Sequence, residues 1–316
     1  MAAFILRRFA SLLVVLLCVV AITFVLSRMA KGGPFTRERN LPASIEKRLL
    51  ARYNLEGPLW EQFTVYLGVR RNVSGKFSGV LQGDLQPSTR YKDNTVNELI
   101  ADSMPVSATL GLFAFMLATT GGIWLGTIAA MRHHTWLDAT AMLGALALIS
   151  IPTFVTGPVL VLFFALKLGW LPVGGWSFWS SMILPGVTLA GPYIAYIARL
   201  MRTSMLEVLG QDYVRTARAK GLKESKVVSR HVLKVAILPV VSFLGPLAAN
   251  LLTGSIVVET IFNIPGAGGF FINSIQNRDT FLLCGITIVY CTLLVVLNLV
   301  VDVAYPWLDR RIKLYG

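Results

Sequence analysis

Six stretches of the chain are long, apolar and free of Lys, Arg, Asp and Glu: Phe9–Ser27, Val106–Ala130, Ala139–Leu166, Ser177–Ala198, Val235–Val258 and Thr280–Val301. A helix needs about 20 apolar residues to cross the hydrocarbon core of a bilayer. Backbone amides and carbonyls find no partner in lipid, so such runs cross as helices, which satisfy their own. The reading is therefore an all-α polytopic membrane protein with six transmembrane helices. Composition agrees, since 55% of residues are hydrophobic and 14% charged, where a soluble domain carries about 25% charged. Arg7 and Arg8 precede the first run as they would in a signal peptide. That run is long for one and lacks an A-x-A cleavage site, so it reads as a retained anchor.

The 29 basic and 16 acidic residues give a net charge of +13. The basic residues fall between apolar runs, which points to membrane topology rather than nucleic acid. With the N-terminus in the cytoplasm, the short cytoplasmic loops hold Arg7, Arg8, Arg132, the Arg199–Lys234 cluster, Arg310, Arg311 and Lys313. The short outer loops hold only Lys167 and Arg278. The segment Arg28–Met104 is basic too, but long segments translocate largely regardless of charge. The expected layout is an N-terminal transmembrane helix at 1–29 and a sizeable extracytoplasmic segment at 30–104. A five-helix core follows at 105–305, with a cytoplasmic segment at 199–234, and then a cytoplasmic tail at 306–316.

Proline and glycine interrupt three runs: Pro152, Gly157 and Pro158 in the third, Pro185, Gly186, Gly191 and Pro192 in the fourth, Pro239, Gly245 and Pro246 in the fifth. Such helices suit either a pathway that opens and closes or kinking for packing. Gly122 with Gly126, and Gly245 with Ala249, have the small-xxx-small spacing that brings helix backbones together. In the outer segment, Pro42–Asn54 reads as an amphipathic helix with Ile45, Leu49 and Tyr53 on one stripe, ended by Gly57-Pro58. Gly68–Gly83 reads as a loop, in which Asn72-Val73-Ser74 is a weak glycosylation pattern.

Motifs for chemistry are missing. The sequence has no G-x-x-x-x-G-K-[ST] loop, no H-E-x-x-H and no G-x-S-x-G. The three histidines, His133, His134 and His231, read as interfacial polar residues. Cys18, Cys284 and Cys291 all lie in apolar runs and read as packing residues rather than a disulfide or zinc framework. Asp138, three residues after Thr135, has capping-box spacing and reads as structural. Glu259 lies just past the fifth run, where it either pairs structurally or meets a charged substrate.

Between Arg199 and Lys234 stand nine basic and three acidic residues. Leu206, Leu209, Tyr213 and Ala217 recur as one face of a helix too short to span. Gly221 fits a left-handed cap with Leu222 as the apolar residue after it. Lys223, Lys226, Arg230 and Lys234 form a basic stripe suited to anionic headgroups. Two short helices split by a glycine, the first offering an apolar knob, imply docking on a partner protein.

The stretch "DYVRTARAKGL…RHVLKVAILPV" resembles the cytoplasmic signature of ABC-importer permeases in the peptide and nickel branch, whose general pattern is E-A-A-x-x-x-G followed by I-x-L-P. Ala217 matches the second alanine and Gly221 the glycine, while Ile237, Leu238 and Pro239 resemble the ending. Arg215 stands where the pattern has Glu, so a glutamate salt bridge does not carry over. "FILRRFASLLVVL", "YNLEGPLWEQFTVYL", "GDLQPSTRYKDNTV" and "VVETIFNIPGAGGFFINSIQNRD" also look like that branch, and "GGPFTRERNLP" is similar to its oligopeptide B-type members. Leu67–Gly79 looks like an insertion.

The resemblance implies a type I ABC importer permease fold in a bacterial cytoplasmic (inner) membrane. It implies a second homologous permease subunit, two cytoplasmic ATPases and an extracytoplasmic solute-binding protein as partners. This chain would bind no cofactor; ATP and Mg would sit on the ATPase subunits. Leu206, Leu209, Tyr213, Arg215, Ala217, Arg218, Gly221 and Leu222 would form the ATPase-coupling site. Asn250, Thr253, Ser255 and Glu259 are pathway candidates, and Pro265, Gly266 and Gly268 mark an outer loop. The cargo expected is an oligopeptide, with dipeptides, glutathione, nickel chelates or opine-like solutes as alternatives. A secondary transporter or an intramembrane enzyme would need inverted repeats or charged groups within the spans.

Overall fold

A computed structural model describes residues 2–29, 42–91 and 93–308. In order, the helices are α1 (Ala2–Met29), α2 (Ala43–Arg52), α3 (Leu59–Leu67), α4 (Val96–Met131), α5 (Trp136–Ser150), α6 (Thr153–Leu160), α7 (Ile183–Leu209), α8 (Asp212–Ala219), α9 (Glu224–Val227), α10 (Leu233–Ala236), α11 (Leu238–Leu252), α12 (Ile256–Ile261), α13 (Gly268–Gln276) and α14 (Thr280–Leu308). Among the described residues the only β pairing is an isolated bridge, Pro87 to Thr95. Five stretches are long and apolar enough to cross a membrane: Ala10–Met29, Val96–Met131, Trp179–Leu209, Leu238–Ile261 and Thr280–Val301. A sixth crossing is the broken pair Trp136–Ser150 and Thr153–Lys167, bent by 107°.

That bend corrects the third run, expected as one helix over Ala139–Leu166. Ile151 takes an extended conformation and Pro152 caps the next helix. A residue before proline is pushed out of the helical region, and proline has no N–H to continue the ladder. Beyond Leu160 the chain passes into a π-helical stretch, Val161–Lys167. The second span is also longer than its apolar run. It starts at Val96, because Thr95 and Glu98 form a reciprocal capping box. The Thr95 amide donates to Glu98 Oε2 at 2.8 Å, and the Glu98 amide to Thr95 Oγ1 at 3.2 Å.

The chain forms two compact units, 106–265 with 294–316, and 2–105 with 266–293. In the first, α4 lies close on α7. A Cβ on Gly122 would stand 2.6 Å from Ile197 Cβ, and one on Gly126 2.5 Å from the Ala198 carbonyl oxygen. Gly111 meets α11 more closely, since its Cβ would lie 2.1 Å from the Leu251 carbonyl oxygen. Gly245 likewise sits against Asn298 of α14. The expected close approach is thus present at Gly122, Gly126 and Gly245, and Ala249 is fully buried. Ile197, Met201, Met205, Leu247 and Leu251 fill the core between these backbones. The turn after the π-helical stretch is pinned by the Gly175 amide, which donates to the Phe262 carbonyl at 2.7 Å.

In the second unit, Phe24, Tyr66 and Phe281 stack at centroid distances of 5.6 and 5.7 Å. Asp279 is buried there and caps α14: the Leu282 amide donates to it at 3.2 Å and Ser88 Oγ at 2.5 Å. The amphipathic helix expected at Pro42–Asn54 is α2, with Leu49 and Tyr53 packed and Ile45 exposed. The three cysteines are free.

Replacing Gly111 with leucine forces side-chain atoms into a carbonyl, and overpacking of this kind costs about 1–3 kcal/mol or more. Gly144 has open space around its Cβ position, and alanine in a helix interior is favoured over glycine by about 0.5–1 kcal/mol. In detergent-purified protein, the unfolding temperature should fall for Gly111→Leu and hold or rise for Gly144→Ala; equal values for the two variants would refute the contact.

Candidate functional site

The segment after α7 is a folded knob. α7 stops at Leu209, Gln211 is extended, and α8 runs to Ala219. Gly221 then takes φ +76°, and its amide donates to the Arg218 carbonyl at 2.9 Å. That is the left-handed cap the sequence predicts, a conformation that favours glycine. α9 follows and runs through a π-helical turn, Val228–Val232, into α10. Val214, Ala217, Val227, Val228 and Val232 belong to the same apolar cluster as Ile197, Met201 and Met205 of α7, so the knob is packed onto the core of its unit.

This corrects the expected docking face. Leu206 and Leu209 lie on α7 and pack inward, and Ala217 is 6% exposed. The spacing of 3, 4 and 4 ignores the break at Gly210–Gln211, which rotates α8 against α7. Tyr213 is exposed, as are Arg215, Arg218, Gly221 and Leu222. Arg218 is engaged within the chain: its Nε and Nη2 donate to the two Glu224 oxygens at 3.0 and 2.7 Å, across the Gly221 turn. Arg215 stands 3.7 Å from Asp212, one turn back. Lys226, Arg230 and Lys234 are exposed opposite the buried valines, so the basic stripe is present.

Sequence reading missed the ion pair beneath the knob. Asp138, at the start of α5, is 5% exposed and takes two bonds from Arg202 of α7, Nε to Oδ1 at 2.6 Å and Nη2 to Oδ2 at 2.7 Å. His133 Nδ1 lies 3.1 Å from Asp138 Oδ2, and the His134 amide donates to the same oxygen at 3.3 Å. Asp138 is structural as expected, but not through a capping box. Thr135 makes no side-chain cap, and its hydroxyl donates instead to the Arg132 carbonyl. Asp138 and Arg202 lie far apart in the chain, and no periodicity links them. Among the described residues no group of three or more His, Cys, Asp or Glu is placed to hold a metal.

The fifth span is broken at Thr253–Ser255, between α11 and α12. Gly254 sits there at φ +95°, and a Cβ on it would stand 2.5 Å from Glu259 Oε1 and 2.8 Å from Ser107 Oγ. Glu259 stands two residues before the end of the stretch Leu238–Ile261, is 3% exposed and accepts from Ser107 Oγ at 2.7 Å, which is the structural pairing of the two expected alternatives. Thr253 spends its hydroxyl on the carbonyls of Ala249 and Asn250, each at 3.0 Å. Ser255 is half-buried, while Asn250 is exposed and its amide donates to Tyr193 Oη at 3.4 Å. Of the pathway candidates only Asn250 presents its side chain. In the 264–269 loop Pro265 is exposed, Gly266 is half-buried and Gly268 is buried at the start of α13.

The fold defines a class, the type I permease of ABC importers. A solved amino acid ABC transporter matches with a TM-score of 0.51 at 16% identity, over 68% of this chain and 94% of that one. Residues 122–314 match the family described as binding-protein-dependent transport system inner membrane component, and this chain belongs to that family. It is 42% identical to the oligopeptide transport system permease protein OppB of Haemophilus influenzae over 99% of this chain and 100% of the relative. The corresponding figures are 44%, 99% and 100% for OppB of Salmonella typhimurium, and 40%, 100% and 99% for the dipeptide transport system permease protein DppB of Bacillus subtilis. The chain is thus an inner-membrane transport subunit, not an enzyme. The stretch Gly32–Leu41, where the sequence is similar to oligopeptide B-type members, and the tail from Asp309 lie outside the described residues.

The Arg218 hydrogen bonds hold the Glu224 carboxyl below its ordinary 4.5. A lowered folded value means the pair stabilises the turn above pH 4.5 and loses that contribution as pH falls through the folded value. Both groups are about half exposed, so the effect stays below about 1 kcal/mol. Carbon-13 carboxyl NMR should place the Glu224 midpoint under 4.5 and move it upward in Arg218→Ala. An unmoved midpoint would mean the bond is not formed.

Proposed function

We propose that this chain forms half of a translocation pathway for oligopeptides, which an extracytoplasmic binding protein delivers. The observation that carries the reading is identity of 40–44% along essentially the whole chain to oligopeptide and dipeptide permeases. A second homologous permease forms the other half, and two ATPases in the cytoplasm hydrolyse ATP with Mg. Both termini and the knob at 210–237 face the cytoplasm, and the segment before α4 faces outward. The asymmetry of basic residues in the short loops supports this orientation. The loop with Pro265, Gly266 and Gly268 lies on the outer side and meets the binding protein.

Coupling runs through the exposed side of the knob: Tyr213, Arg215 and Leu222 enter or flank a groove on an ATPase, with Gly221 setting the turn. Leu206, Leu209 and Ala217 support this surface from beneath, and Arg218 holds its shape through Glu224. A short helix packed onto the core of its unit passes a rigid-body movement with little bending.

In proteoliposomes with all partners, labelled peptides of about three to five residues should accumulate with ATP. Uptake of dipeptides alone would favour the dipeptide reading, and uptake of neither would overturn the proposal. Tyr213→Asp should abolish uptake and ATPase stimulation by loaded binding protein without lowering the unfolding temperature. Ala217→Asp should instead lower that temperature, because a charge in the knob's core costs several kcal/mol, about 3–5 where nothing pairs it. Coupled uptake by Tyr213→Asp at the normal rate would show that the knob does not dock.

A further inference from the structure

Resting on the reading above, we infer that the exposed face shared by α7 and α11 is a main-chain binding site for the peptide in transit, with Asn250 and Tyr193 as its hydrogen-bonding groups. Ser242, Pro246 and Asn250 follow one another at four-residue spacing on α11, and all three are exposed. Beside them on α7, Tyr196 is 46% exposed and its ring lies 4.5 Å from that of Phe243. Asn250 donates to Tyr193 Oη at 3.4 Å, longer than the usual range of about 2.7–3.2 Å for such a bond. The carboxamide can make two donor and two acceptor contacts in all. Proline at 246 has no N–H, so the Ser242 carbonyl lacks its usual helical donor and adds an acceptor to the same face.

Such a face does not suit lipid. Acyl chains offer no partner to an amide, a phenol or a freed carbonyl, and polar groups exposed to hydrocarbon are costly. It suits a peptide backbone, which carries one donor and one acceptor at each residue whatever its side chain. Ile183–Ala198 and Leu238–Leu252 contain no Lys, Arg, Asp or Glu, so the face reads neutral amides rather than terminal charges. Its length fits as well. About eight residues of helix rise about 12 Å, and an extended peptide covers that in about four residues at about 3.3 Å each. The Tyr196–Phe243 pair, its rings tilted by 39°, supplies an aromatic wall against which varied side chains can lie.

The test uses the complete complex with its ATPases and binding protein in proteoliposomes, and labelled trialanine as the probe. In the double variant Tyr193→Phe with Asn250→Leu, peptide moved per ATP hydrolysed should fall about tenfold, as expected for the loss of one or two hydrogen bonds. Asn250→Gln, which keeps the amide, should stay within about threefold of the parent. An unchanged ratio in the double variant overturns the inference. A second measurement does not depend on the variants folding normally. A benzoylphenylalanine at position 196, irradiated during vanadate-trapped turnover, should attach the label to this chain. A crosslink from position 196 to the second permease, with no label on this chain, would overturn the site by making the face a subunit contact. If the parent complex moves no peptide at all, the proposed function itself fails, which the parent control reads directly.

Discussion

Within a membrane-spanning helix, every broken turn leaves amides and carbonyls that only protein can satisfy. The break at Thr253–Ser255 shows how this chain meets that demand. Gly111 lets α4 approach the Leu251 carbonyl to a distance no side chain allows, so two backbones meet just where α11 ends. Gly254 turns the chain through a left-handed conformation, and the space beside it is taken by Ser107 and Glu259. The Glu259 carboxyl is buried and held by a serine from the distant helix α4. Its own carbonyl accepts from the Ile264 amide at 2.8 Å, which fixes the exit from α12. A buried carboxyl is costly unless it is hydrogen-bonded. Here the Ser107 hydroxyl supplies the bond, while the amides of Thr253 and Gly254 find the carbonyls of Ala249 and Leu251.

The same economy explains the knob. α7 runs unbroken from Ile183 to Leu209, longer than a bilayer crossing needs. It emerges from the apolar run through Arg199 and Arg202. Arg202 grips Asp138 with both arms, joining α7 to the first half of the broken span. A buried ion pair adds little net stability, but losing one partner strands the other charge. Such a pair therefore fixes a relative position more than it stabilises. If an ATPase moves the knob, α7 moves as a rod, and Asp138 carries that movement to α5 rather than letting the helices slide.

Much of this could be read from the residues. The apolar runs gave the spans, Gly221 its cap, and Gly122 with Gly126 the close helix approach, because each rests on local chemistry or fixed spacing. The knob's signature residues also carried the family. What failed had a common cause. The face of Leu206, Leu209, Tyr213 and Ala217 assumed one helix across Gly210–Gln211, and a single extended residue there changes which side faces outward. Val96 was hidden as a helix start because Glu98 and Asp102 interrupt the apolar pattern, although Thr95-x-x-Glu98 is itself a start signal. Arg202 with Asp138 and Ser107 with Glu259 join residues far apart in sequence, and only the packing of α4, α5, α7 and α11 brings them together.

The spans also differ in what surrounds them. In the most apolar stretch of Trp179–Leu209, 61% of residues are buried, against 17–33% in the four other long apolar stretches, so α7 is the rod on which its unit is assembled. Leu13, Val14 and Leu17 of α1 show the apolar surface that a lipid-facing helix keeps. The exposed residues of α7 are Val187, Tyr196, Arg199, Thr203 and Glu207, and of these only Val187 and Tyr196 fall within the apolar run. Tyr196 adjoins Ser242, Pro246 and Asn250 on α11 through its ring contact with Phe243. A phenol and a carboxamide gain little from acyl chains, so this strip differs chemically from the Leu13, Val14 and Leu17 surface of α1.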